Sequence, residues 1–156
     1  KINVKLEVKT PKINLVDRDY IKSISSRAMN DIDNGDFDSA ITKARTTLEE
    51  TFCYVIEKKG DSPVKTGKLK DLYKQVKNLY KMHTDPNADR RIKTLLSGLE
   101  NIIASISEMR NKSSDSHGVG SARINIEEHH ARLAVNAAMT MADFILSVEQ
   151  KVNKSI

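Results

Sequence analysis

RRIKTLLSGLENIIASISEMR, residues 90–110, decides the fold. Within it Ile92, Leu95, Leu96, Leu99, Ile102, Ile103, Ile106 and Met109 recur at three- and four-residue steps, which places them along one face of an α-helix. A stripe of that length is expected to be buried, and burial requires other helices to pack on it. The sequence supplies them on both sides. Upstream, residues 68–82 carry Leu69, Leu72, Val76, Leu79 and Tyr80 at helical spacing, and HTDPN (83–87) breaks that run. Before it GDSPVKTG (60–67) reads as a loop. A longer helix from Asp36 to Lys59 aligns Phe37, Ala40, Ile41, Ala44, Leu48, Phe52, Val55 and Ile56, with Gly60 as its stop. The first helix runs from Asp17, an N-cap, to Asn34, closed by Gly35. Downstream, residues 111–124 are polar, include Gly118 and Gly120, and read as a loop. A last helix over 125–152 is expected to turn Ile126, His130, Leu133, Ala137, Met141, Phe144, Ile145 and Val148 inward.

Long amphipathic helices joined by short connections predict an all-α, antiparallel bundle of four to five helices over residues 17–156. Residues 1–16 are set apart as an arm or linker. In KINVKLEVK (1–9), Ile2, Val4, Leu6 and Val8 alternate with polar residues, a strand pattern that cannot stand alone and so implies pairing elsewhere; Pro11 ends it.

The chain has 156 residues, 38% hydrophobic and 30% charged, with six Gly, three Pro and no Trp, a profile of a helix-rich domain with an aliphatic core rather than of a disordered chain. It opens on Lys rather than Met, which fits a processed chain or a piece of something longer. No apolar run of roughly 20 residues and no signal peptide are read in it, and Cys53 has no second cysteine to pair with. Together these predict a cytoplasmic protein without membrane contact. The net charge is +5, and residues 61–85 are the most basic segment, with six Lys against three Asp. Such an excess permits RNA binding, and it equally fits a solvated lysine face.

Arg110 continues the stripe of residues 90–110, four residues after Ile106 and seven after Ile103, at the expected end of that helix. His117 lies in the loop that follows, and His130 near the start of the last helix. In an antiparallel pair the end of one helix meets the start of the next, so the three are expected at one end of the bundle. An imidazole exchanges a proton near neutrality, and a guanidinium offers charged, forked donors to phosphate oxygens. The pair suits RNA cleavage by its own 2′-hydroxyl, a reaction that needs no metal. On these residues alone a second reading stays open, in which Arg110 interacts with a helix dipole and His117 is an ordinary loop residue.

Other patterns fail. GDSPVKTGKL (60–69) has its glycines seven apart, and Leu69 stands where a phosphate loop needs Ser or Thr. DIDNGDFDSA (31–40) brings Gly35 one position early for a calcium loop, and Thr42 replaces the closing Glu. His129 and His130 diverge by about 100° on a helix and cannot share a metal as an i, i+4 pair does. No metal or other cofactor is expected. Arg45 and Glu49, at i, i+4, read as a helix-stabilising ion pair.

RNKSSDSHGVG (110–120) followed by HARLAVNAAMTMADFIL (130–146), with FDSAITKARTTLEETFCYVIEKKG (37–60) and LLSGLENIIASISEMRN (95–111) upstream, resembles the C-terminal domain of bacterial abortive-infection proteins. The likeness runs in order over residues 17–150. That family is similar to the HEPN superfamily of helical bundles, whose catalytic members carry Arg, four to six residues, then His, often with a polar residue directly after the Arg. Six residues separate Arg110 from His117, and Asn111 follows the Arg. The resemblance implies a metal-independent ribonuclease acting as a homodimer in defence against phage, with Arg110 and His117 catalytic. It further implies that Asn111 and Lys112 hold phosphate or support the site, with Asp115, His130 and Arg132 as supporting residues. RNA is the implied partner, with a regulatory domain or antitoxin as a further one. The alternatives are a non-catalytic RNA- or nucleotide-binding module and a helical dimerisation module of a larger defence protein.

Overall fold

A computed structural model describes residues 16–82, 86–114 and 125–154, of which 110–114 are described by their backbone. These residues form five α-helices and, among the described residues, no strand: α1 (Arg18–Asp33), α2 (Phe37–Lys58), α3 (Leu69–Leu79), α4 (Arg90–Ser114) and α5 (Glu128–Lys154). The strand expected over residues 1–9 lies outside the described residues.

Local chemistry sets the first corner. The Asp17 carboxylate accepts from the Tyr20 N–H at 2.9 Å and opens α1. Gly35, at φ +79°, closes it in a conformation that a Cβ would strain. Asp36 then accepts from the Ser39 N–H at 3.1 Å and opens α2. Asp31 ties the two helices, taking the Ser39 hydroxyl at 2.9 Å and the Lys43 ammonium at 2.5 Å. Burial alone raises the Asp31 pKa, but these two bonds outweigh it and hold the carboxyl below its usual range.

α2 is the central element and packs against all four other helices. Ala40, Ile41, Ala44, Leu48, Phe52, Val55 and Ile56 are fully buried on it. Thr47 and Thr51 are buried as well, their hydroxyls donating to the carbonyls of Lys43 and Thr47 at 2.8 and 2.7 Å, so neither polar group is left unpaired. α3 is shorter than expected. It stops at Leu79 because Tyr80 turns its hydroxyl onto the Val55 carbonyl of α2 at 2.6 Å, and Lys81 follows at φ +53°.

Several expectations about α4 and α5 are corrected. Of the stripe from Ile92 to Met109 only Ile103 and Ile106 are buried; Leu96, Leu99, Ile102 and Met109 are half-buried, and Ile92 and Leu95 stay 52% and 63% exposed. Among the described residues, α2, α3 and α5 cover only part of the stripe. α4 also continues to Ser114, so residues 111–114 are helical rather than loop. On α5 the buried line is Ala131, Ala134, Val135, Ala138, Met141, Ala142, Ile145 and Leu146, leaving Leu133 69% exposed and His130 exposed. Alanines turn inward because small side chains let α5 lie close against α2, its most extensive partner. α5 starts at Glu128, three residues later than expected. It is also, contrary to the sequence reading, long and apolar enough by composition to cross a bilayer, although 44% of that stretch is buried within the bundle.

Candidate functional site

α4 divides two grooves. On its α5 side Ile102, Ile106, Met109, His130, Leu133 and Ala137 line an apolar hollow of about 260 Å³. On its α3 side a groove of about 400 Å³ has an apolar floor that includes Ile103 and Ala104, with Lys70, Lys74, Lys77 and Glu100 along it. The helical register puts Arg110 in line with Ile103, which borders the basic groove, and Ile106, which borders the apolar one.

Arg110, Asn111 and Lys112 therefore stand on helical backbone, with Arg110 four residues before the end of α4. His117 and Asp115 lie outside the described residues. The antiparallel neighbourhood is present: Met109, directly before Arg110, and His130 of α5 border the same hollow. His130 is not on a buried seam as expected. Its Nδ1 accepts the Glu127 N–H at 3.2 Å at the start of α5, and its ring lies 4.1 Å from that of His129. Arg132 points its guanidinium at carboxylates, Glu128 at 2.9 Å and Asp33 at 3.9 Å, with the Met29 sulfur at 3.6 Å, so it joins the start of α5 to the end of α1. Those carboxylates compete with any phosphate for it.

Arg45 and Glu49 form the expected pair at 3.4 Å, but Arg45 has a second task. Only 11% of its side chain is exposed, and Nη2 donates to the Gly67 carbonyl at 2.8 Å, fastening the loop between α2 and α3. Along the outer side of α2, Glu49, Glu50 and Glu57 gather around Cys53. Burial first, and then those three charges, push the Cys53 thiol up to about 11, so it is protonated and unreactive near neutral pH. This acidic side repels phosphate. Among the described residues no group of three His, Cys, Asp or Glu converges as a metal site.

The basic groove escaped the sequence reading as a site. Its signal was available: Lys70, Lys74 and Lys77 stand at i, i+4 and i+7 within the segment already noted as basic. What the sequence does not show is that α4 rises beside that face to make a groove of it.

A family model described as Abi_C, a HEPN-like domain, matches residues 19–149. The chain belongs to that family. No curated protein and no solved structure matches it. The Abi_C match takes in the whole of α2, α3 and α4, nearly all of α1, and α5 as far as Glu149. The Arg110–His117 segment thus falls well inside the Abi_C domain, and the arm falls outside it.

Proposed function

We propose that this Abi_C domain is a metal-independent endoribonuclease that acts as a homodimer in the cytoplasm, as an abortive-infection response to phage. The observation that carries the reading is the Arg110-x6-His117 spacing, with Asn111 after the Arg, inside a domain of the HEPN-like family. In the reaction His117 takes the proton of a ribose 2′-hydroxyl. The 2′-oxygen attacks the adjacent phosphorus, the 5′-oxygen of the next nucleotide leaves and is protonated, and the guanidinium of Arg110 neutralises charge developing on the non-bridging oxygens. The products are a 2′,3′-cyclic phosphate and a 5′-hydroxyl, with no metal in any step.

The apolar surface left on α4 and α5 supports the homodimer. Ile92, Leu95 and Leu133 are more than half exposed, and the hollow between the two helices is almost wholly apolar. A second copy seated there buries that surface and draws two Arg110-bearing helix ends toward one cleft.

The test is cleavage of RNA in EDTA by the wild type, Arg110→Ala and His117→Ala, each checked for helicity. Wild-type cutting to a 2′,3′-cyclic phosphate, abolished in both variants, is the expected result. A wild type that binds RNA without cutting it overturns the reading in favour of a binding module.

A further inference from the structure

We infer that the groove between α3 and α4 binds the phosphodiester backbone of an RNA strand, with Lys70 and Lys74 as its phosphate contacts and the Tyr73 hydroxyl as a further donor. The choice of RNA as the polyanion rests on the ribonuclease reading; the site itself rests on the geometry.

Lys70, Lys74 and Lys77 succeed one another along one face of α3, roughly one helical turn of 5.4 Å apart, so their charges form a row rather than a point. A row of that kind matches a linear polyanion better than a single phosphate. The three differ in availability. Lys77 lies 2.5 Å from Glu100 of α4, with its ammonium over the Tyr73 ring at 5.1 Å, so its charge is already engaged. Lys70 and Lys74 are exposed and, among the described residues, make no ion pair.

Tyr73 adds a neutral donor. Its ring is 4% exposed and packs on Phe52 at 5.6 Å, so it is fixed from below. Tyr73 is one of the residues lining the groove, and among the described residues its hydroxyl has no hydrogen-bond partner. Burial, helped by Glu100, pushes its pKa up to about 12, which keeps the proton on the oxygen and leaves it a donor at neutral pH. Asn101 adds an amide from the α4 side. Arg110 lies six residues beyond Ala104, the last α4 residue of the groove, about 9 Å along the axis at 1.5 Å per residue. A strand held by the lysines is thereby within a few nucleotides of the catalytic helix end.

The experiment titrates the full chain with a fluorescent, unstructured 2′-O-methyl oligoribonucleotide, which has no 2′-hydroxyl and so cannot be cut, over a series of salt concentrations. Alanine is a good helix former, so Lys70→Ala/Lys74→Ala retains α3. Two lost phosphate contacts reduce the slope of log K against log salt by about 1.4, at about 0.7 per contact on a single strand, and weaken binding roughly tenfold at physiological salt. Glu100→Gln frees Lys77, so it strengthens binding and steepens the slope by about 0.7. Lys22→Ala/Arg27→Ala removes the same net charge from exposed positions of α1, which packs on α2 and α5, and leaves affinity within about twofold. Wild-type affinity and slope in the Lys70/Lys74 variant, or an equal loss in the α1 control, overturns the site. The ribonuclease reading then still stands if the wild type cuts ordinary RNA. Lysine-dependent binding by a wild type that cuts no RNA supports the groove and sinks only the catalytic reading.

Discussion

Replacing Leu133 by Gln tests whether the apolar side of α4 and α5 is covered by a second copy of the chain. Leu133 is 69% exposed in the monomer, so about two thirds of the gain from burying it is still to be collected. Full burial of a leucine is worth about 1.5–3 kcal/mol, which leaves about 1–2 kcal/mol at this position. A two-fold interface uses the residue twice, so the dimer loses about 2–4 kcal/mol, a roughly 30- to 700-fold rise in its dissociation constant. Glutamine has similar bulk and good helix propensity, so the helix itself is little affected. Sedimentation-equilibrium runs over a dilution series measure the dissociation constant directly. Calorimetry at a concentration where both proteins are monomeric should give the same Tm for the variant and the wild type. Cleavage should fall with the loss of dimer and recover at high protein concentration. An unchanged dissociation constant refutes Leu133 as part of the interface. A Tm drop of many degrees in the monomer refutes the premise that the side chain projects away from the core.

Phe52→Ala, at a fully buried position on α2, should cost about 3–5 kcal/mol and lower the Tm by roughly 6–20 °C in a chain of this size, read by calorimetry. A loss under about 1 kcal/mol contradicts its place at the centre of the core. At alkaline pH the two buried phenols decide. Burial pushes Tyr73 and Tyr80 from 10.0 to about 12, Glu100 adding to the first and Glu149 to the second. Their contribution is complete below pH 10 and is lost as pH rises through about 12, because the unfolded chain gives up these protons first. The unfolding free energy should therefore fall across that window with a slope of up to about 1.4 kcal/mol per pH unit for each phenol, and Tyr80→Phe should remove its share of the slope. It should also cost about 1 kcal/mol at neutral pH, through the lost bond to the Val55 carbonyl.

The helix boundaries fixed by local chemistry were legible in the sequence. Asp17, Gly35 and Asp36 act within three residues of themselves, and each caps or stops a helix where its residue type predicts. The buried side of α2 was equally plain, because its large apolar residues are also its core residues. α5 defeats the same reasoning. There Ala131, Ala134, Ala138 and Ala142 make up half of the buried apolar line while Leu133 stays outside, so weighting by side-chain size rotates the predicted face away from the observed one. Only the close approach of α2 makes the alanines the better choice, and that approach is a property of the assembled bundle. The α4 stripe was seen, but how much of it a single chain covers depends on how many neighbours reach it. At the candidate site Arg110 stood out because it continues that stripe, although the helix runs four residues past it. The basic groove depends on two helices that meet in space, so no stretch of sequence contains it. Arg132 shows the converse, since its partner Asp33 is ninety-nine positions away and invisible to local spacing.

The pairing of α2 with α5 has a consequence for the order in which the molecule is made. α2 is synthesised before α3 and α4, and its most extensive partner, α5, is made after them. While the ribosome is still adding α3 and α4, α1 can already dock across the Gly35 corner, yet the side of α2 that receives Ala131 to Leu146 has nothing to close on it. Contacts that distant in sequence form late and carry the larger loop-closure cost. A nascent chain stalled before α5 would therefore hold an open core, a state that attracts chaperones and proteases. If Arg110 is catalytic as proposed, its helix is only half supported at that stage, and the domain becomes competent only once α5 has been made and has docked on α2.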